Sequence, residues 1–416
     1  MTYPDAISWL YSTQGTGIKL GLENISRLLT LLGVELQRPP GSRPFVFHVA
    51  GTNGKGSVCA MLDAICRAQG LRTGLFTSPH LVSFRERIRL NGVKISEADV
   101  AAGLTRIRET IAGWEIAPTF FEITTALALA WFQEQRAEVI ILETGLGGRL
   151  DSTNAVTADL SILTPISFDH RQYLGNTLGE IAAEKAGILK PGVPVVSASQ
   201  PPEAAQVIET IAVRVGAPLK WISEPAEFEV GLAGCHQRYN AALAVAAARA
   251  ARLAIDERAI RQGLRDVVWP GRFQRLTGRT GTPLVLDGAH NEAAAVQLVQ
   301  TWHEIFGEER PIILLSVLQD KDVAAVCRHL APLAVELVVV PVQNARACSG
   351  PALADFVRPF APATPCIEAG SVAAALEIAE ARAQKMGCPV LITGSLFLVG
   401  ETLAVLENAT HETSLQ

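Results

Sequence analysis

The chain lacks a Cys-x-x-Cys pair, a basic tract, an internal repeat, a low-complexity segment and any apolar run long enough to span a membrane. Each absence removes a class of function. Seven cysteines are scattered through 416 residues, so neither a zinc site nor a disulfide framework is expected. Their odd number and scatter suit small buried thiols in a reducing cytosol. Lys and Arg total 36 against 41 Asp and Glu, a formal net charge of −5. Without a basic stripe, nucleic acid is not an expected partner. Small anions must then be held by local lysines, arginines and helix ends, not by a field over the whole surface. The N-terminal stretch MTYPDAISWLYS carries an acid and no apolar core, so it does not read as a signal peptide. Runs such as ALALAWFQEQRAEVIIL and AALAVAAARAARLAI are broken by charge well short of a membrane span. A cytoplasmic location without membrane contact is the expectation.

What is present is a long chain with 49% apolar residues, enough for two or three domains with sizeable cores. Short β-branched runs alternate with helical periodicity nearly throughout. Strands are expected at 45–50, 73–77, 138–143, 160–165, 193–197, 284–287, 312–316, 337–341 and 389–393. Helices are expected between them, for example at 56–68, 98–111, 121–134, 241–253, 292–306 and 372–384. Such alternation predicts parallel sheets covered by helices, and the continuous apolar strands suit burial on both faces. The Pro-, Gly- and Arg-rich stretch VVWPGRFQRLTGRTGTP marks the expected seam. The expected fold is therefore α/β. A doubly wound, mostly parallel sheet domain over 1–270 carries a phosphate loop, and a smaller Rossmann-like α/β domain occupies 271–416.

The phosphate loop is VAGTNGKGS, between a strand and a helix. Gly51, Gly54 and Gly56 let the backbone curl with N–H groups turned inward. The helix that follows adds its positive end. Lys55 can bridge phosphate oxygens and Ser57 can ligate magnesium. The general P-loop pattern puts Ser or Thr directly after Lys; here Gly56 intervenes. A Gly-rich turn by itself is often only a tight turn, but strand–turn–helix context favours nucleotide phosphates.

Three further residues suggest a metal site. Glu143 ends one strand, His170 follows another, and Lys185 lies on the helix of GEIAAEKAGILKPG. In a doubly wound sheet, ligands bind outside the carboxyl ends of the strands. Carboxylate and imidazole both ligate divalent ions. An ammonium does not. A buried lysine loses its proton more readily, and the neutral amine can take up CO₂ to become a carbamate, which is a metal-binding anion. Taken singly, Glu143 reads as ion-paired, His170 as a cap or core residue, and Lys185 as a surface charge. Beside the phosphate loop the three read together.

The motifs GTNGKGS, LETGLGGRLDSTN, SFDH, EKAGILKPG, HQRYNA, WPGRF, LDGAHN and TGSLFLVGE occur in that order between about Leu20 and Glu401. In this they resemble the folylpolyglutamate synthase/dihydrofolate synthase family of the Mur ligase superfamily. The resemblance implies an ATP-dependent ligase that adds L-glutamate to dihydropteroate and to reduced folates such as tetrahydrofolate. It implies two Mg²⁺ sites served by Ser57, Ser78, Glu143, His170 and a carbamylated Lys185. It implies ATP contacts from the loop residues Gly51, Thr52, Asn53, Gly54, Lys55, Gly56 and Ser57, and from Asn240, Arg272, Asp287 and His290. Because the last three follow the seam, ATP is expected between domains. Pterin contacts are implied for Lys19, Leu20, Gly21 and Leu22, for Thr119, Phe120, Phe121 and Glu122, and for Leu150, Asp151 and Ser152. Phe120 and Phe121 suit a flat pterin, though paired Phe at a helix start is by default core. The family leans to monomers.

A carboxylate does not acylate an amine at neutral pH, because its oxygen is a poor leaving group. ATP converts it to an acyl phosphate, which the glutamate amine attacks. Lys55, Glu143, His170 and Lys185 are the expected catalytic set, acting by positioning and charge neutralisation. Three readings compete. A monofunctional folylpolyglutamate synthase shares every motif. A peptidoglycan Mur ligase shares the loop and chemistry, but the turn at residue 51 is expected to leave no room for its sugar-nucleotide domain. A nucleotide-driven switch would give Lys185 no role.

Overall fold

The computed structural model describes residues 1–16, 21–35 and 44–413. Lys19 and Leu20 lie outside the described residues. The protein is α/β and forms two compact units. One comprises Met1–Ser78, Arg85–Gly231 and Arg238–Val267; the other comprises Pro79–Phe84, Leu232–Gln237 and Val268–Gln416.

The first unit is built on an eight-stranded sheet. Its strands are β1 (Phe45–Ala50), β2 (Thr73–Phe76), β3 (Ile88–Leu90), β4 (Val93–Lys94), β5 (Val139–Glu143), β6 (Leu160–Leu163), β7 (Val195–Ala198) and β8 (Leu219–Ile222). Their order is β4-β3-β2-β5-β1-β6-β7-β8. All neighbours are parallel except β2–β3 and β3–β4. The central strands FVFHVA and VIILE are apolar almost without a break, because helices cover both faces of a parallel sheet. The chain leaves β1, skips a place to β2, and later fills the gap with β5. It then continues on the other side of β1 with β6, β7 and β8. The connections thus diverge at β1, and a crevice opens outside its carboxyl end.

The second unit has a six-stranded sheet of β9 (Gln274–Thr277), β10 (Pro283–Leu286), β11 (Ile312–Leu315), β12 (Glu336–Val339), β13 (Cys366–Glu368) and β14 (Val390–Thr393). The order is β13-β12-β11-β14-β10-β9, with β9 alone antiparallel. Alternate residues of each strand fall into two separate cores. Val285, Ile313, Leu315, Leu337, Val339 and Leu391 pack on one side, with Trp302. Leu284, Leu286, Ile312, Leu314, Val338, Val390 and Ile392 pack on the other. Each such fully buried side chain contributes roughly 1.5–3 kcal/mol.

The helices that matter for the site start where local chemistry dictates. Phe120–Glu134 opens with a Thr119/Glu122 capping box, which satisfies orphan donors reciprocally. Leu178–Lys185 opens with Thr177 and Glu180 in the same arrangement. The helix Cys235–Ala250 begins about one and a half turns before the predicted 241, since the polar HQRYN run masks the helical period. Among the described residues no helix is long and apolar enough to cross a membrane.

Candidate active site

The loop after β1 is fastened on both sides. Gly51 has φ 144°, and a Cβ there would lie 1.9 Å from Thr164 Oγ1. The Thr52 and Asn53 amides donate to Pro165 O at 3.0 and 3.3 Å. The Thr52 hydroxyl donates to Ser167 O and accepts from Ser167 N. These bonds tie the loop to the segment after β6. They commit the Thr52 and Asn53 amides to a protein acceptor. Gly54 has φ 90°, and a Cβ there would meet Asn240 Oδ1 at 2.5 Å. Only glycine fits that left-handed, crowded position. The buried Asn240 thus joins the loop from the helix Cys235–Ala250.

The helix Lys55–Ala68 begins with no side-chain cap. Among the described residues, the Lys55 and Gly56 amides meet no protein acceptor. A helix start with free donors is an anion site. Ser57 lies buried in the same turn. Lys55 Nζ donates to Gly51 O and Thr52 O, both at 3.1 Å. Lys185, the buried last residue of Leu178–Lys185, donates to the same Gly51 O at 2.8 Å. Two lysines therefore converge on one loop carbonyl.

Glu143 closes β5 and pairs with Val49 of β1 across the ladder. Its carboxylate is buried and accepts the Ser78 N–H at 3.2 Å. His170 sits beyond β6 with φ 50° and caps the short helix Arg171–Leu174. Its amide donates to Asp169 Oδ1 at 2.8 Å, and its ring nitrogen lies 3.9 Å from the same oxygen. Its side chain is about one-third exposed. Among the described residues no group of three or more His, Cys, Asp or Glu side chains is arranged to hold a metal. The available donors are one carboxylate, one imidazole and the Ser57 and Ser78 hydroxyls.

The aromatic side divides. Thr119 and Glu122 are occupied with each other, Glu122 Oε2 accepting from Thr119 N at 2.7 Å and Thr119 Oγ1 at 2.9 Å. Phe120 is buried against Tyr11, ring centroids 5.7 Å apart. Phe121 lies 5.8 Å from Phe76, and its ring covers Gly145, where a Cβ would meet Phe121 Cζ at 2.5 Å. Leu150 is half-buried, and Asp151 and Ser152 are buried. Asp151 accepts four hydrogen bonds from protein. Gly21 and Leu22 lie just before the helix Glu23–Leu31, which has no side-chain cap.

In the second unit, Asp287 follows β10. Its oxygens accept Phe273 N at 2.8 Å and Ala289 N at 2.9 Å. Burial pushes its carboxyl up, and Arg272 pulls the other way. Arg272 lies along Gly288, where a Cβ would meet Nη1 at 2.8 Å. The His290 ring bonds Gly288 O at 2.8 Å.

Sequence reasoning missed Arg87. It is fully buried, with its guanidinium 5.3 Å over the Phe120 ring. Burial pushes its pKa down to about 10, against the charges of Tyr11, Glu86 and Glu143. The ERIRLNG run gave it no distinguishing mark, since Arg89 in the same run is only partly buried. Asp169, which sets the His170 backbone, stood inside a motif but was passed over.

Comparison with known proteins agrees with this architecture. Residues 49–215 match the Mur ligase middle domain, and residues 271–396 match the Mur ligase glutamate ligase domain. The dihydrofolate synthase/folylpolyglutamate synthase of Bacillus subtilis is 37% identical over 365 residues, 80% of this chain and 83% of that one. The Escherichia coli protein of the same name is 33% identical over 420 residues, 96% and 94% of the two chains. Mycobacterium tuberculosis folylpolyglutamate synthase, solved with ADP and AMPPCP, superposes with a TM-score of 0.88 at 31% identity, covering 99% of this chain and 100% of that one. A bifunctional folylpolyglutamate synthase/dihydrofolate synthase with Mn, AMPPNP and L-glutamate bound gives 0.83 at 32% identity over 97% and 98%.

Proposed function

The chain belongs to the dihydrofolate synthase/folylpolyglutamate synthase family, and from that premise we propose that it is an ATP-dependent ligase joining L-glutamate to dihydropteroate and to reduced folates through an acyl phosphate. The observation that carries this reading is the uncapped helix start at Lys55 and Gly56, set at the divergence of strand connections beside Glu143. That is where an α/β sheet grips a phosphate.

The substrate carboxylate attacks the γ-phosphorus, ADP leaves, the glutamate amine attacks the acyl carbon, and inorganic phosphate departs. The chain's part is positioning and charge. The Lys55 and Gly56 amides hold phosphate oxygens. Lys55 exchanges its two loop carbonyls for phosphate oxygens and offsets their charge. Phe121, half-buried with its ring over Gly145, offers its uncovered side to the pterin. Asn240, Arg272, Asp287 and His290 contact ATP in this reading, and the functional division falls at 1–270 and 271–416.

The donor set fits Mg²⁺. This ion keeps several waters and uses one or two carboxylates plus substrate phosphates, so the absence of a three-acid cluster among the described residues does not count against it. Ser57 and Glu143 would hold one ion, and Ser78, His170 and a carbamate on Lys185 a second. When bound, Mg²⁺ neutralises charge on the transferring phosphoryl group. Lys185, buried beside the phosphate loop at Gly51 O, is the residue placed to carry the carbamate. We place the enzyme in the cytoplasm as a monomer, a reading that sedimentation tests.

The deciding experiment is ADP release with dihydropteroate and tetrahydrofolate supplied separately, each with and without L-glutamate. Release that requires glutamate with both acceptors supports the bifunctional reading. Release with tetrahydrofolate alone points to a monofunctional synthase. Phosphate release independent of glutamate would overturn the ligase.

A further inference from the structure

His48 interrupts the otherwise apolar strand FVFHVA and is fully buried, yet the chemistry above makes no use of it. Its Nε2 lies 2.7 Å from Thr153 Oγ1. The Thr153 hydroxyl donates to Asp151 Oδ1 at 2.5 Å, and Thr153 N donates to the same oxygen at 3.0 Å. Asp151 Oδ2 accepts the Gly145 and Leu146 amides at 2.9 and 2.8 Å. A hydroxyl has one hydrogen. With that hydrogen committed to Asp151, His48 must donate, so the imidazole is the neutral Nε2–H tautomer. Among the described residues Nδ1 is then buried with no partner. Burial holds this imidazole down at about pKa 3, in keeping with a neutral ring. An unpaired buried acceptor is costly, and an apolar side chain would avoid that cost.

The far end of the chain explains what is gained. Glu143 is fixed by the β1–β5 ladder, and Thr144 N still bonds Val49 O at 3.0 Å. Beyond that point the ladder ends, and Asp151 takes over the next two amides. The loop so held carries Gly145, the seat of the Phe121 ring. It also carries Gly148, where a Cβ would meet Lys185 O at 2.7 Å, and Arg149, whose amide bonds Glu184 O at 2.8 Å. One loop therefore touches the carboxylate strand, the aromatic face and the end of the Lys185 helix.

We propose that His48 and Thr153 are positioning residues: with Asp151 they form a buried strut from the strand that bears the phosphate loop to the loop that follows Glu143 and sets Phe121 and the end of the Lys185 helix. The role rests on the ligase reading. Neither His48 nor Thr153 is required to touch substrate. The strut fixes relative placement, which outer partners of catalytic groups commonly do.

The test compares Thr153→Val, which keeps the shape and removes the hydroxyl, with Thr153→Ser, which keeps the hydroxyl. His48→Leu, which removes the N–H donor, serves with the same expected changes if Thr153→Val does not fold. Residue-resolved hydrogen exchange reads the Gly145 and Leu146 amides. Steady-state kinetics reads kcat, the ATP KM and the Mg²⁺ concentration giving half activity. In Thr153→Val the two amides exchange faster, kcat falls about 10- to 100-fold and half activation needs more Mg²⁺, while the ATP KM stays within about twofold. Thr153→Ser restores the exchange, kcat and Mg²⁺ readings. Exchange unchanged in Thr153→Val overturns the strut. Faster exchange with unchanged kcat and Mg²⁺ dependence overturns the positioning role and leaves a structural bond only. A wild type with no glutamate-dependent ADP release would sink the ligase reading instead, while the exchange arm still reports the strut by itself.

Discussion

The two sheets share a construction and differ in one respect. In the first, β5 fills the place skipped between β1 and β2; in the second, β14 fills the place skipped between β10 and β11. Past β1 the first sheet runs on through parallel β6, β7 and β8, whereas past β10 the second stops at the antiparallel β9. Only β1 therefore lies between diverging crossovers. The loop after it ends in a helix start whose amides have no side-chain cap. The loop after β10 spends its carboxylate on protein, because Asp287 takes the Ala289 amide within the loop and the Phe273 amide just before β9. The lesson is that an anion site needs both the divergence of strands and donors left unspent. By that measure the first unit offers unspent donors at its point of divergence, whereas the Asp287 carboxylate is spent on two backbone amides.

That contrast can be broken in graded steps. The largest effect is expected from Lys185→Ala, with ligation falling about 10²- to 10³-fold or more while nucleotide binding is partly kept. High bicarbonate with a short carboxylate should restore some turnover, and full activity in the variant would remove Lys185 from the mechanism. Next comes the pair Glu143→Gln and Asp287→Asn. The first should cut kcat by about 10²-fold with little change in ATP KM, and the second should mainly raise ATP KM, by about 10-fold. Equal kinetic signatures would erase the distinction between the sheets. Gly54→Ala forces a side chain into φ 90° and onto Asn240. It should cost about 1–3 kcal/mol of stability, read by thermal unfolding, and raise the ATP KM.

The smallest effect concerns acid. Burial holds His48 neutral in the folded protein down to about pH 3, whereas an ordinary imidazole titrates near 6.5. Between those values the unfolded chain binds the additional proton. The stability due to the buried neutral ring is thus complete above pH 6.5 and is lost as pH falls. The loss attributable to His48 is about 2 kcal/mol between pH 6.5 and 5. Denaturant unfolding of wild type and His48→Gln at the two pH values isolates it, and identical pH slopes would contradict it.

Much of this was legible before any coordinates. The central strands announce themselves as apolar runs because they are buried on both faces, and the glycine spacing of the loop is readable because the φ values demand it. The strands that escaped, β3, β4, β8, β9 and β13, all lie at sheet margins. Val93–Lys94 is exposed, and Leu219–Ile222 and Gln274–Thr277 are only partly covered, so their composition carries little hydrophobic signal. At the site, the residue types were readable but their commitments were not. Nothing in GGRLDSTN reveals that Asp151 turns back on the Gly145 and Leu146 amides. Nor does TNGKG show that Thr52 and Asn53 give their amides to Pro165. Such allocations depend on partners distant in sequence.

The most direct measurement is residue-resolved amide exchange over 51–57 with and without AMPPNP and Mg²⁺. Nucleotide should slow the Lys55 and Gly56 amides strongly and change Thr52 and Asn53 little, since those two are already bonded. Protection confined to other segments, with Lys55 and Gly56 unaffected, would contradict the account.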